Sequence, residues 1–324
     1  MMTNPLRSCL VLLAALLTGC NPSSDSKSYP GKTLTLVCPW AAGGGTDRLA
    51  RFMADALQQS LGQSVIVVNQ VGGSGAAGHQ KGALADPDGY TLTMATFELS
   101  TMHWMGISTV TYTNFTPLMQ LNADAAALLV KSDAPWPDLT SFLAHIRANP
   151  GQVTMSGTAT GGAWDLARAG FLLAAELPVE SVRWIPKKGS APSIVELLGG
   201  HIDAVCCSVP EAAAQIDSGE LRVLAVMAPE RLAEYPDIPT VREQGVAWDA
   251  VGWRGLVLPK DTPADIVATL EAHCQRIVDG EAFRTFMKQN GFVPVVRGGK
   301  AFETFLAEQD RQWQPVIEKT GYAK

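Results

Sequence analysis

Short β-branched and apolar runs alternate with helical stretches along almost the whole chain, and that alternation restricts what it can fold into. Leu34–Cys38, Val65–Val68 and Tyr90–Ala95 read as strands, with helices over Asp47–Leu61 and Ala76–Ala85 between them. The rhythm resumes after Pro135 with helix Thr140–Ala148, strand Val153–Ser156, helix Trp164–Glu176, strand Val182–Ile185, helix Ala191–Leu198, strand Ala204–Cys207, helix Glu211–Asp217 and strand Val223–Met227. Strands spaced by helices join in parallel sheets through crossovers, so the class is α/β with two units. A Pro-rich passage with Pro229, Pro236 and Pro239 leads to a strand near Trp253–Leu258. Three tail helices follow, Ala264–Val278, Glu281–Gln289 and Ala301–Lys319. The tail needs a sheet to cover. Returning it to the first unit makes that unit discontinuous and leaves crossings near 123–135 and 228–252, a hinge suited to closure around a ligand. No tandem repeat is detected.

Three loops at expected strand ends could carry chemistry. In Cys38-Pro39-Trp40-Ala41-Ala42-Gly43-Gly44-Gly45-Thr46-Asp47 the strand stops at proline, glycines allow a tight turn, and Thr46 or Asp47 is placed to cap the next helix. Free amides at a helix start hold anions. A nucleotide phosphate loop would carry Lys-Ser or Lys-Thr after the last glycine, and Thr46-Asp47 stands there instead. The second loop, Ser156-Gly157-Thr158-Ala159-Thr160-Gly161-Gly162, offers hydroxyls and amides. The third, Pro186-Lys187-Lys188-Gly189-Ser190-Ala191-Pro192, adds two positive charges. The bland alternative is that these loops only connect strand to helix and that the lysines are solvated. Carboxyl ends of parallel strands are nevertheless where α/β folds bind ligands.

Other classes find less support. Gly73-Ser74-Gly75-Ala76-Ala77-Gly78 fits a dinucleotide fingerprint with Glu98 twenty residues on, but Asn69-Gln70-Val71 separate it from the strand and it falls in the second βα unit. It reads as a flexible loop. No nucleophile elbow or triad is arguable, and Asp47, Asp165, Asp203 and Glu98 read as capping or lobe-closing groups. No catalytic residue and no cofactor are expected. Cys38, Cys206, Cys207 and Cys274 and the five histidines lack ligand spacing, so no metal is expected. Cys206 and Cys207 read as buried strand residues. With 31 acidic against 25 basic residues, a nucleic-acid partner is not expected.

The N-terminus sets the expected compartment. Arg7 precedes an apolar run from Cys9 to Leu17 that is short for a membrane span, and Leu17-Thr18-Gly19-Cys20 matches bacterial lipoprotein processing. Residues 1–19 therefore read as a signal peptide, Cys20 as the lipidated residue, and 20–31, polar after Cys20, as a flexible tether. The expected product is a periplasmic, membrane-anchored lipoprotein with a soluble body.

The body resembles the substrate-binding proteins of tripartite tricarboxylate transporters, the Bug or TctC-like receptors, from about Lys32 to Gly321. The likeness rests on Pro39 to Asp47 with Ala50-Arg51, Leu61-Gly62-Gln63, Asp86-Pro87-Asp88-Gly89-Tyr90-Thr91-Leu92, Lys188-Gly189-Ser190-Ala191-Pro192, Leu197 to Asp203, Gly219 to Val226 and Pro236 to Val241. It implies a two-lobed periplasmic binding protein fold of the type with two inter-lobe crossings and a cleft between lobes. Lobe one would be 32–125 with 250–324, and lobe two 126–249. Carried over by position, ligand contacts would be Trp40, Gly43, Gly44, Thr46, Asp47, Thr96 and Phe97 in lobe one. Lobe two would add Thr158, Thr160, Gly161, Lys187, Lys188, Ser190, Ala191 and Asp203. Aromatic residues are common in the family at Trp40 and Lys187, and histidine at Asp165. The added lysine favours a second or third ligand carboxylate, and Asp165 opposes it.

The resemblance implies capture of a small organic carboxylate, citrate-like or another di- or tricarboxylate, and delivery to the large and small membrane subunits of such a transporter. A receptor for a signalling ectodomain is the second reading, and an exported hydrolase the third. Weaker binding in Lys188→Ala is expected.

Overall fold

The structure, a computed structural model, describes residues 29–324. The leader over 1–19, Cys20 and most of the 20–31 tether lie outside the described residues. In chain order the strands are β1 (Leu34–Cys38), β2 (Val65–Asn69), β3 (Thr91–Thr96), β4 (Phe115–Lys131), β5 (Val153–Ser156), β6 (Val182–Trp184), β7 (Ala204–Ser208), β8 (Leu221–Val226), β9 (Val251–Pro259) and β10 (Pro294–Gly298). The helices are α1 (Gly45–Leu61), α2 (Ala76–Ala83), α3 (Leu139–Ala148), α4 (Ala163–Ala174), α5 (Ser190–Leu198), α6 (Ala213–Asp217), α7 (Ala264–Asp279), α8 (Glu281–Gln289) and α9 (Gly299–Lys319).

Two β-α-β cores are parallel, as the alternation requires: β1 lies between β2 and β3, and β5 between β6 and β7. The sheets as wholes are mixed, which corrects the expectation of parallel sheets. β9 runs antiparallel to β3 and β4, and β4 antiparallel to β7, β8 and β10. The cause is β4, a 17-residue strand that belongs to both sheets. Residues Phe115 to Ala125 pair with β9, while Ala126 to Lys131 pair with β7 and β8. The first crossing is therefore a continuous strand rather than a linker.

The return crossing, between β8 and β9, is pinned to the first. The Met227 amide donates to the Ala126 carbonyl at 2.7 Å, and the Ala126 amide to the Ala250 carbonyl at 2.8 Å. Two adjacent hydrogen-bonded strands bend together more readily than they slide.

Leu49, Met53 and Leu57 put one stripe of α1 under the first sheet, where Leu270 and Cys274 of α7 and Phe283 and Met287 of α8 meet them. Each such buried side chain contributes about 1.5–3 kcal/mol. The α1 stripe ends at Gly62, whose left-handed backbone (φ 68°) lets its amide close on the Gln58 carbonyl. The last helix behaves differently from α7 and α8. Phe302, Leu306, Trp313 and Ile317 of α9 belong to a core that is continuous with the second lobe. The Tyr322 hydroxyl just beyond α9 accepts from Arg168 of α4 at 2.9 Å, so the tail touches both lobes.

Cys38, Cys206, Cys207 and Cys274 are all buried free thiols. Burial pushes Cys38 up to about 11 and Cys274 up to about 12, and raises Cys206 and Cys207 as well. These are packing residues with little thiolate at neutral pH. Among the described residues, no helix is long and apolar enough to cross a membrane, and no group of three or more His, Cys, Asp or Glu is placed to hold a metal ion.

Candidate functional site

A cleft of about 450 Å³, a figure that includes solvent at its mouth, lies where the carboxyl ends of β1 and β3 face those of β5 and β6. Two loops of the same construction form its opposite walls. Gly43 (φ 86°) and Gly161 (φ 73°) hold left-handed backbone, which glycine adopts without a side-chain clash. Gly44 and Gly162 then share one conformation, φ −76° and ψ 170°, as caps of α1 and α4. Four residues after each left-handed glycine, a buried aspartate takes its amide: Asp47 from Gly43 and Asp165 from Gly161, each at 2.9 Å.

Neither Thr46 nor Asp47 caps α1, contrary to expectation, since the helix begins at Gly45 with no side-chain cap. Asp47 instead braces the loop from inside the first turn. It binds Arg51 at 2.9 Å and Asn69 at 2.8 Å; although burial pushes its carboxyl up, these bonds and the Gly43 amide hold it below the usual carboxylate range. Asp165 is paired at 2.6 Å with Arg168, both sealed from solvent. Its charge is compensated there, so it does not oppose a ligand anion as the sequence had implied.

The helix starts are thus left facing the cleft. Gly44, Gly45 and Thr46 of α1, Ala163 and Trp164 of α4, and Gly189, Ser190, Ala191 and Pro192 of α5 all line it. Each helix start carries roughly half a positive elementary charge on its free amides. Three of them converging on one enclosed space favour a guest with acceptor oxygens and negative charge. One buried group strengthens that preference: Thr158 lines the cleft, and its hydroxyl has no hydrogen-bond partner in the protein. A donor left unpaired in a dry site costs about 1–3 kcal/mol unless something fills the gap.

Charge inside the cleft centres on Arg254 of β9. Its guanidinium donates to Thr46 Oγ1 at 2.9 Å, Asp124 at 2.7 Å and, across the lobes, Glu211 at 3.0 Å. Although burial acts to lower it, Glu211 and Asp124 together raise the Arg254 pKa, so it stays charged. Burial raises Asp124 to about 6 even beside that cation. Further bonds join the lobes: Arg48 to the Pro210 carbonyl at 2.7 Å, Glu98 to the Ala163 amide at 2.7 Å, and the Ser74 hydroxyl to the Thr160 carbonyl.

Of the residues singled out from sequence, Trp40, Gly44, Thr46, Thr96, Phe97, Thr158, Ser190 and Ala191 line the cleft. Gly43, Asp47 and Gly161 shape the loops behind it. The Thr160 side chain is exposed, and only its carbonyl takes part in the lobe contact. Lys187 is turned to Glu196 at 2.6 Å, and Lys188 is exposed at the mouth beside Ala41 and Ala42. Asp203 does not line the cleft. It precedes β7, at the far end of that strand, and accepts from the Thr154 amide and hydroxyl at 2.8 and 2.6 Å. Sequence reasoning missed Trp164, Glu211, Trp253 and Arg254. An arginine inside the apolar run Val251–Pro259 was the available signal, because a charge buried in a strand needs partners.

A family model described as "Tripartite tricarboxylate transporter family receptor" matches residues 49–322. The periplasmic binding protein BugD is 28% identical, with a TM-score of 0.86 over 91% of this chain and 100% of that one. MatC of Rhodopseudomonas palustris with bound malate is 26% identical, with a TM-score of 0.83 over 89% and 100%. A second R. palustris protein, solved with adipate, is 25% identical, with a TM-score of 0.86 over 91% and 99%. The two-lobed periplasmic binding protein fold is shared with all three. BugD is described as a periplasmic binding protein, and the other two were solved with malate and with adipate.

Proposed function

Because the chain belongs to the tripartite tricarboxylate transporter receptor family, we propose that it captures a small organic carboxylate between its lobes and delivers it to the large and small membrane subunits of such a transporter. In this reading it works in the periplasm, anchored through lipid on Cys20, with lobes bounded at 32–125 plus 250–324 and at 126–249. The observation that carries it is the convergence of the α1, α4 and α5 starts on one cleft, where the Thr158 hydroxyl lacks a partner. Walls on opposite lobes suit a guest with acceptors at both ends, so di- and tricarboxylates are favoured; malate and adipate, held by two relatives, are dicarboxylates. The guest is released unchanged.

A thermal-shift screen of mono-, di- and tricarboxylates tests this. A guest at about a hundred times its Kd stabilises the protein by roughly 2.7 kcal/mol, a readily measured rise in Tm. Response only to neutral solutes would dismiss the reading.

Thr158→Val separates ligand contact from a packing role. Removing an unpartnered buried hydroxyl leaves the empty protein as stable or slightly more so, while the bound carboxylate loses a donor and binds about tenfold more weakly. Equal losses of stability and affinity would assign Thr158 to packing. For Lys188→Ala, exposure at the mouth sets the expectation: association slows a few-fold, the effect fades at high salt, and dissociation is unchanged. A change confined to the dissociation rate would place its ammonium on the ligand instead.

A further inference from the structure

Resting on that carboxylate reading, we propose that the cleft takes up its anionic guest together with one proton, carried on Glu98. Glu98 follows β3 in the first lobe, is 2% exposed and lines the cleft. Its Oε1 accepts the Ala163 amide of the second lobe at 2.7 Å, and its Oε2 meets the Thr96 hydroxyl at 2.5 Å. No cation is bonded to it.

The charges around it decide where a proton would go. Arg254 of β9 is spent on Thr46, Asp124 and Glu211, so it reaches Glu98 only through space. His79 of α2, behind Thr96, accepts the Thr96 amide and is lowered by burial to about 4, so it is neutral. The β1–α1 loop contributes the Trp40 indole, α4 the Ala163 amide at its positive end, and α9 the Trp313 ring, which stacks edge-on against Phe97. Three carboxylates, Glu98, Asp124 and Glu211, therefore share this region with one fully buried guanidinium, Arg254, and with the half-buried Arg48, which acts through space on Glu211 and Asp124. A guest carboxylate adds a further negative charge in low dielectric, where an unpaired ion is costly. Of the three acids, Glu98 is the one without a paired cation, and burial raises its pKa even though the Thr96 hydroxyl and the Ala163 amide at the start of α4 act to lower it.

Thr96 couples that proton to the guest. The Trp40 indole can only donate, so Thr96 Oγ1 accepts from it, at 3.3 Å. With Glu98 ionised, Thr96 spends its single hydroxyl hydrogen on Oε2. With Oε2 protonated the direction reverses: Glu98 donates to the second lone pair of Thr96, and the Thr96 hydrogen turns into the cleft, which it lines. Protonation thus removes a repelling charge and frees a donor, without disturbing the Ala163 bond on Oε1.

The test is calorimetry with malate and adipate, run at each pH in two buffers of different ionisation enthalpy to count protons. Between about pH 6 and about pH 9 the wild-type protein should take up close to one proton per guest at the alkaline end, and its Kd should rise about tenfold per pH unit there. Glu98→Gln, which mimics the neutral acid, should take up none and bind more tightly than wild type at the alkaline end. Binding to wild type without proton uptake anywhere in that range overturns the proposal, whether or not the variant folds. Undiminished uptake by the variant overturns it too, by sending the proton elsewhere. Absence of any response to either guest or to the wider carboxylate panel would overturn the carboxylate reading itself.

Discussion

Replacing Arg254 by alanine is expected to cost the protein about 3–5 kcal/mol of unfolding free energy at neutral pH, read from a urea or thermal transition. Asp124 and Glu211 are 2% and 4% exposed at their side chains, and Arg254 is the cation bonded to both. Deleting it leaves two buried carboxylates facing each other. The pH dependence identifies the cause. Asp124 already has a folded pKa raised to about 6 beside the guanidinium, above an unfolded value near 3.9. A raised carboxyl stabilises the fold below its unfolded value, and that contribution is lost as pH rises through the folded one. Without Arg254 the folded value climbs further, so the deficit of the variant is smallest in acid and grows towards neutrality. Arg254→Lys, a point charge without the guanidinium fork, should recover part of the loss. An Arg254→Ala protein as stable as wild type at neutral pH would show that the triad contributes nothing.

That triad also shows where the sequence was hard to read. β4 escaped notice because Ala123 to Ala127, Asn122 and Asp124 lie in its middle and Pro117 near its start, all poor strand residues by propensity. They are tolerated because β4 is buried between partners along its length, and Asp124 is held by Arg254, itself placed by β9. The information is tertiary. β10 was missed for the opposite reason, being a short edge strand that starts at proline and leaves Val296 exposed. The glycine loops were legible, because tight turns into helices leave a local signature. Their kinship was present but unread: Gly-Gly-x-x-Asp occurs at Gly43 to Asp47 and again at Gly161 to Asp165, and the structure gives the two copies one backbone path. Reading Asp165 that way assigns it to its own loop rather than to the ligand. Lys187 and Asp203 were inferred by position. Position does not reveal that Glu196 engages the first, or that the second sits at the wrong end of its strand.

Gly45→Val is expected to separate closure from folding. Gly45 opens α1 in the first lobe, and a Cβ built there would lie 2.9 Å from Glu211 Cγ and Oε1 of the second lobe and 3.0 Å from Arg254 Nη2. Those atoms are the inter-lobe ion pair, so the added side chain can be seated only by driving Glu211 away from Arg254 and parting the lobes. Within the first lobe the exchange is mild, since valine suits a helix slightly better than glycine and Arg254 keeps Thr46 and Asp124. The empty variant should therefore melt within a few degrees of wild type. A guest that binds by selecting the closed arrangement must now supply the cost of forcing it. If that cost is about 3 kcal/mol, affinity falls by about a hundredfold. Small-angle scattering supplies the structural half of the test: wild type contracts when a saturating carboxylate is added, and the variant stays extended at the same concentration. Tight binding with normal contraction in Gly45→Val would mean that the Glu211–Arg254 pair is not part of the closing contact. Weak binding together with a large fall in Tm would mean that the valine damages the first lobe itself. Together with Arg254→Ala, which removes the same pair from the other side at the expense of stability, the variant distinguishes a contact that holds the lobes together from one that holds a lobe in shape.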